Sequence, residues 1–435
     1  MEEIFTCQSR KFIGILLERR LIMIYLTYIS YRVTQLFVIS WLRYLIPALR
    51  KRMAFEYKNT NHSSIKKCKY WFHVSSEGEL EQAREVIEEL KSLKKDILII
   101  YTSESVEAKL IKYEQLNDNI HSFRLELVTR IFTPSIVCNK YLDKFFMVRY
   151  DFFPHLLLVA KCAKKSFLLS ASLKNKSFNL LNSMWWKDLL SCFDVIFWSN
   201  SDDLKRSDVV GLLDSSTEHK VFDFRHKRII ERNLRQQSLL EYKSWESIAA
   251  DLANVDKAKR VIFGSLWASE ASELASEIKV LINNGYTVFI APHVLHGADY
   301  DEIIEILNSH SISYTVWDKD EKLDFSSVIV CRLPGLLCEL YTHFGHCFVG
   351  GGHGRSVRSL LEPYWGGGNI YCGPKVHRST EYDYIIAHNP DCIKVIKSLC
   401  DTSKYILESK EVVNNVANAS AEVLKEFDVN IGLVK

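Results

Sequence analysis

The chain is poor in the residues that punctuate or staple a fold: 17 glycines and 8 prolines in 435 residues, and no Cys-x-x-C pair among 11 cysteines. An odd number of cysteines, scattered from Cys7 to Cys400, argues against a disulfide framework and against a zinc site, and suits a reducing compartment. The 14 histidines include no His-Glu-x-x-His, so no metal is expected. Neither a Gly-x-x-x-x-Gly-Lys-Ser/Thr loop nor a Gly-x-Gly-x-x-Gly after the first strand is present, which removes two common nucleotide fingerprints. A strong charge of either sign is also missing. The net charge is +3, and residues 1–58 alone hold ten Lys/Arg against four Asp/Glu, so the remainder is slightly acidic and nucleic acid is not an expected partner. At this length and with 47% hydrophobic residues the chain can bury two cores, one in each of two domains.

No long apolar run is uninterrupted. From Ile22 about twenty largely apolar residues are broken near the middle by Arg32, a cation that costs roughly 2.5–3.5 kcal/mol at the centre of a spanning helix. Helical spacing puts Tyr25, Tyr28, Arg32, Gln35 and Arg43 on one stripe, and Leu26, Ile29, Val33, Leu36, Phe37 and Trp41 on the rest. Arg10, Lys11, Arg19 and Arg20 flank one end, and Arg43, Arg50, Lys51 and Arg52 the other. The pattern predicts a membrane-associated helix lying at the interface, or one whose polar stripe packs on protein. No small-x-small site follows, which argues against a cleaved signal peptide.

After Lys69 short apolar runs alternate with helical stretches. YWFHVS, DILIIYT, KFFMV, SFLLSA and DVIFWS read as buried strands, and after a polar interval RVIFGS, YTVFIAP, SSVIVC, HCFVGGG and NIYCG read likewise. Such alternation predicts parallel sheets covered by helices. The expected division is an N-terminal helix in 1–58, a domain in 59–229, a linker in 230–257, a second domain in 258–410 and a closing helix in 411–435. Two doubly wound domains facing a cleft would bind ligands beyond the carboxyl ends of their strands.

Three loops after strands carry suggestive chemistry: SSEGELEQA, RYDFFPH and GGGHGRSVRSLLEP. Nine of the 17 glycines lie between Gly345 and Gly373. Gly350, Gly351 and Gly352 let backbone N–H groups approach a phosphate, with a helix from about Arg358 adding its N-terminal field; a plain strand-to-helix turn is the other reading. Glu79 is either a reactive carboxylate or the far half of a capping box whose N-cap is Ser76, reaching back to the Ser76 N–H. Asp151, before a helix opened by Pro154, is likewise open between site and helix-entry chemistry.

Taken in order, the motifs resemble the 3-deoxy-D-manno-octulosonic acid (Kdo) transferases. HVSSEGE (73–79) is similar to that family's His-Ala-x-Ser-x-Gly-Glu, RYDFFPHLL to its Glu-Thr-Glu-Leu-Trp-Pro-Asn-Leu, and FDFRHKRI, GSLW, APH, LPGLLCELY, VGGGHGRSVRSLLEP and CGPKVHRSTE to later family motifs. The resemblance implies a GT-B fold: two Rossmann-like domains facing a cleft. It implies an inverting, metal-independent glycosyltransferase that moves Kdo from CMP-Kdo, a donor substrate rather than a cofactor, to a lipid A precursor (lipid IVA) in lipopolysaccharide biosynthesis. The expected place is the cytoplasmic face of the inner membrane of a Gram-negative bacterium. Glu79 matches the family's general base and Asp151 its second carboxylate, while Ser76, Ser265, His293, Gly350, Gly351, Gly352, Arg358 and Glu362 fall at donor-binding positions. Arg149, Asp151, Ser172, Arg332 and Arg358-Ser359 depart from the pattern. They keep open a transferase with another donor or acceptor, or a catalytically silent homologue.

Overall fold

The computed structural model describes residues 19–34, 37, 40–42, 44–59, 68–127, 142–149, 151–174, 180–318, 327–409 and 416–435. It divides into two units, one made of 1–225 with 430–435 and the other of 226–429.

The first unit is built on a seven-stranded parallel sheet. Its strands are β1 (Tyr70–Val74), β2 (Ile97–Tyr101), β3 (Ile120–Arg124), β4 (Lys144–Val148), β5 (Lys165–Ala171), β6 (Val195–Trp198) and β7 (Glu218–Val221), in the order β3-β2-β1-β4-β5-β6-β7. The second unit repeats the plan with β8 (Arg260–Leu266), β9 (Thr287–Pro292), β10 (Tyr314–Trp317), β11 (Val328–Cys331), β12 (His346–Val349), β13 (Asn369–Cys372) and β14 (Ile393–Val395), in the order β10-β11-β9-β8-β12-β13-β14. Helices cross between parallel strands, so the central strands are buried on both faces and carry no polar alternation. Alternate side chains feed two cores: Phe289 packs into one, Val288 and Ile290 into the other.

The expectation of a linker over 230–257 is not met. That stretch is largely helical, within Arg225–Arg235, Gln237–Leu240 and Ser244–Ala253, and Ile230, Leu239, Trp245, Ile248 and Leu252 join the core of the second unit. Its charges sit on the solvent side of helices whose apolar stripe is buried, a pattern that mimics a linker in a sequence read for strands. The last helix runs Ala417–Val434, and residues 411–415 lie outside the described residues.

The helix Arg19–Thr34 turns Tyr28 and Tyr31 to the protein. Tyr28 is buried, and Tyr31 donates its hydroxyl to the Leu127 carbonyl and stacks on His155. Leu26, Ile29 and Val33 are exposed, as are Phe37, Trp41, Tyr44 and Leu45 beyond it. The side chains of Arg10, Lys11, Arg19, Arg20, Tyr25, Arg32, Gln35, Leu36 and Arg43 lie outside those described. Among the described residues no helix is long and apolar enough to cross a membrane.

Candidate functional site

In each sheet the winding reverses beside its first strand, between β1 and β4 in the first unit and between β8 and β12 in the second. Loops leaving the carboxyl ends of such a strand pair diverge to opposite faces and leave a crevice. Nine of the ten residues singled out from sequence lie in loops or helices that follow β1, β4, β9 or β12, and the tenth, Ser265, lies near the end of β8.

In the first unit, β1 ends at Val74 and the helix Glu77–Ser92 begins three residues later. Ser76 is its N-cap, the hydroxyl accepting from the Glu79 N–H at 3.3 Å. The reciprocal half of the capping box is shifted: the Glu79 carboxylate accepts from Ser75, not Ser76. Its Oε2 takes the Ser75 N–H at 2.6 Å and the Ser75 hydroxyl at 2.7 Å. Glu79 is only 9% exposed. Burial pushes its pKa above the ordinary glutamate value, the Ser75 hydrogen bonds draw it partly back, Asp151 pushes it up and Arg149 down.

Asp151 arrives from the loop after β4. Burial raises its pKa too, opposed by the same Ser75 hydroxyl. Arg149, just before it, holds φ 60°, a left-handed conformation uncommon for a side chain of this size. Beneath lie two neutral histidines: burial lowers His73 to about 3 and His155 to about 4, and Phe153 packs against both rings. The crevice therefore holds two carboxylates that bind protons more readily than usual.

In the second unit the corresponding strand and helix are β8 and Ala268–Asn283. Glu270 stands at the third helical position, as Glu79 does in its own helix, but is almost fully buried at 2% exposure. Both of its oxygens accept from the Gly351 N–H at 2.9 Å, and Oε1 also from the His353 N–H at 3.3 Å. Gly351 has φ 90°, open only to glycine at low cost. A Cβ on Gly350 would overlap the Ser265 carbonyl, and the Gly350 N–H is bonded to the Gly264 carbonyl at 2.9 Å. Gly352 packs on the Gly373 backbone.

Two expected phosphate donors, the N–H groups of Gly350 and Gly351, are thus engaged inside the fold. The expected helix from Arg358 also differs. It starts at Leu361 and runs five residues, and the N–H groups of Leu360 and Leu361 donate to Glu381 at 2.6 and 3.1 Å. Carboxylates of the fold, Glu270 and Glu381, have taken the donors that glycine spacing alone offers a ligand.

Cationic and aromatic groups gather at the same strand ends. Arg358 donates to His293 Nε2 at 2.9 Å, and its guanidinium lies 5.4 Å from the Trp267 ring centre. The Trp267 and His293 rings stack at 4.2 Å. Burial and then Arg358 lower the His293 pKa, so it is a neutral acceptor. Ser265 sits at φ 51° beside this stack. Glu362 lies among other charges. Burial raises it to about 7, Arg232 and Arg228 lower it, and Glu381 and Glu339 raise it. Arg332 pairs with Asp318 and lies over Tyr300, so that cation has an internal partner.

Ser75, Trp267, Glu270 and Glu381 are the residues sequence reading passed over. Ser75 and Trp267 lie inside quoted motifs, HVSSEGE and GSLW, and Glu381 ends CGPKVHRSTE. Glu270 repeats the place of Glu79 at the third position of the helix after the first strand of its sheet, which was the one available signal. Among the described residues no group of three or more His, Cys, Asp or Glu is clustered to hold a metal ion.

Residues 48–219 match the family model described as 3-Deoxy-D-manno-octulosonic-acid transferase (kdotransferase). A 3-deoxy-D-manno-octulosonic acid transferase of Rickettsia prowazekii (strain Madrid E) is 21% identical over 378 residues, 84% of this chain and 77% of that protein. The structure is similar to a glycosyltransferase from Rickettsia africae ESF-5 (TM-score 0.52, 12% identity, 84% of this chain and 95% of that one). It is also similar to UDP-GlcNAc 2-epimerase from Neisseria meningitidis (TM-score 0.50, 12% identity, 82% and 98%). A transferase and an epimerase share these two doubly wound sheets, so the fold is GT-B and does not by itself choose a reaction. The choice comes from the family match over the first unit and from the relative that spans both: the chain is a glycosyltransferase whose residues 48–219 match the Kdo transferase family and which is similar to a Kdo transferase over most of its length.

Proposed function

We propose that the chain transfers Kdo from CMP-Kdo to a hydroxyl of a lipid A precursor, lipid IVA, with inversion and without a metal. The observation that carries this reading is Glu79: a carboxylate at the switch point of the first sheet, oriented by Ser75, with its pKa raised by burial. A hydroxyl is a poor nucleophile at neutral pH, so a base must take its proton as the new bond forms. Glu79 accepts that proton, the acceptor oxygen bonds to the anomeric carbon of Kdo, and the bond from that carbon to the phosphate oxygen breaks. CMP departs with both electrons of that bond, its phosphate gaining one negative charge. Asp151 supports the acceptor side.

For the donor, the Arg358, His293 and Trp267 group offers a guanidinium, a neutral imidazole and an aromatic face, which together suit an anionic group on an apolar bed. Gly352 and Ser265 line the same strand ends, and Glu362 accepts from the ribose hydroxyls. The acceptor is a lipid, and the exposed Leu26, Ile29, Val33, Phe37 and Trp41 with the neighbouring Lys51 suit a helix lying in an anionic membrane surface, which we place at the cytoplasmic face of the inner membrane. The pair Phe37→Ser and Trp41→Ser is expected to reduce co-sedimentation with anionic vesicles while leaving the melting temperature unchanged; undiminished sedimentation would remove the membrane from the reading.

The direct test is transfer by the protein in detergent, from CMP-Kdo made in situ to lipid IVA, followed by mass spectrometry. The native chain should add the mass of Kdo. Glu79→Gln should lose activity by roughly 10²–10⁴-fold while folded. No gain by the native chain would point to another donor or acceptor.

A further inference from the structure

We propose that Ser75 is a positioning residue for the transfer step, its hydroxyl and N–H aiming the Glu79 carboxylate. This rests on Glu79 acting as the base. The hydroxyl and the N–H of Ser75 both go to Oε2, at 2.7 and 2.6 Å. A carboxylate oxygen has two in-plane lone pairs, so Oε2 is filled and Oε1 is the oxygen left to take a proton. Holding a glutamate with three free torsions this way prepares the base before the acceptor arrives.

Ser75 is more than a turn residue because both of its donors converge on one carboxylate oxygen and hold the Glu79 pKa below where burial alone would set it. One hydroxyl carries one proton and donates fully to one carboxylate at a time. That proton goes to Glu79 and favours its ionised form, the form a base needs.

Among the described residues the charged groups acting on Glu79 are Asp151 and Arg149, both from the loop after β4. His73, on the strand before Ser75, and His155, on the helix after Asp151, are buried and neutral. Ser75→Ala keeps the N–H and removes only the hydroxyl, and Ser75→Thr keeps the hydroxyl.

The test is kcat/KM against pH for the full chain with CMP-Kdo and detergent-dispersed lipid IVA, for the native protein, Ser75→Ala and Ser75→Thr, with Glu79→Gln alongside. Without the hydroxyl Glu79 holds its proton to higher pH. The acidic limb of the Ser75→Ala profile should move upward and kcat/KM at its acidic end should fall roughly tenfold, with a smaller loss at the optimum. The KM for CMP-Kdo should stay unchanged, and Ser75→Thr should restore the limb. Carbon-detected NMR titration of the Glu79 carboxyl reads the same shift without turnover. A Ser75→Ala limb and titration superimposable on the native ones, or an equal loss at every pH, overturns the proposal. Turnover retained in Glu79→Gln instead removes the base itself, a failure distinct from this one.

Discussion

Glu79 and Glu270 show how burial and partners separate two copies of one residue. Each stands at the third position of the helix after the first strand of its sheet, and each turns its carboxylate toward the loop at the switch point. Glu79 meets one serine and keeps an oxygen free; Glu270 meets two backbone N–H groups of the glycine loop and is buried. Glu270→Gln replaces charge-assisted bonds by neutral ones and points an amide at N–H donors, which should cost about 1–3 kcal/mol, read as a lower denaturation midpoint. Glu362 gives a different prediction. Its pKa of about 7 in the folded state lies above the ordinary glutamate value, so between the two the unfolded chain releases a proton that the folded chain retains, and stability falls as pH rises through that window. Glu362→Gln should flatten this dependence and raise the melting temperature at pH 8, while weakening donor binding if the carboxylate accepts from the ribose. At this scale the sequence is legible where a motif names the residue, as with Glu79, Arg358 and His293. It is silent on Glu270 and Glu381, because which carboxylate fills a backbone nest depends on contacts between residues 20 to 83 apart in the chain.

Among elements, the line between legible and illegible follows position in the sheet. All ten strands read from apolar runs are present, and the four passed over, β3, β7, β10 and β14, are the four edges. An edge strand has one neighbour and partial cover, so its residues need not be apolar: β7 reads EHKV with no buried residue, and β10 is buried only at Trp317. The helices of 230–257 were missed for a related reason, since amphipathic helices without neighbouring strands resemble a polar interval. The glycine loop was located correctly and its partners were not. Gly350→Ala should show that the loop tolerates no side chain: its Cβ would overlap the Ser265 carbonyl and stand 2.8 Å from Glu270 Oε2, neither of which can yield freely. The expected result is a loss of about 1–3 kcal/mol or more, seen as a lower melting temperature together with weakened donor binding.

For the molecule as a whole, the two-sheet plan was legible from alternation alone, whereas the assignment of residues 430–435 to the first unit was not. Ile431 and Val434 are buried, the Val434 carbonyl accepts from Lys144 Nζ at 3.0 Å, and Lys435 pairs with Glu89 at 3.0 Å. Deleting 430–435 should therefore destabilise the first unit, by about 2–5 kcal/mol if the two aliphatic sites stay empty, and hydrogen exchange should quicken on β4 and on Glu77–Ser92. The same return of the chain sets an order of events in time. During synthesis the sheet of the first unit is made first, yet its last apolar contacts are supplied by residues translated after the entire second unit. A stalled ribosome would present a first unit that has its strands but lacks its closing pieces, and such a half-finished sheet is the form that chaperones and proteases would meet.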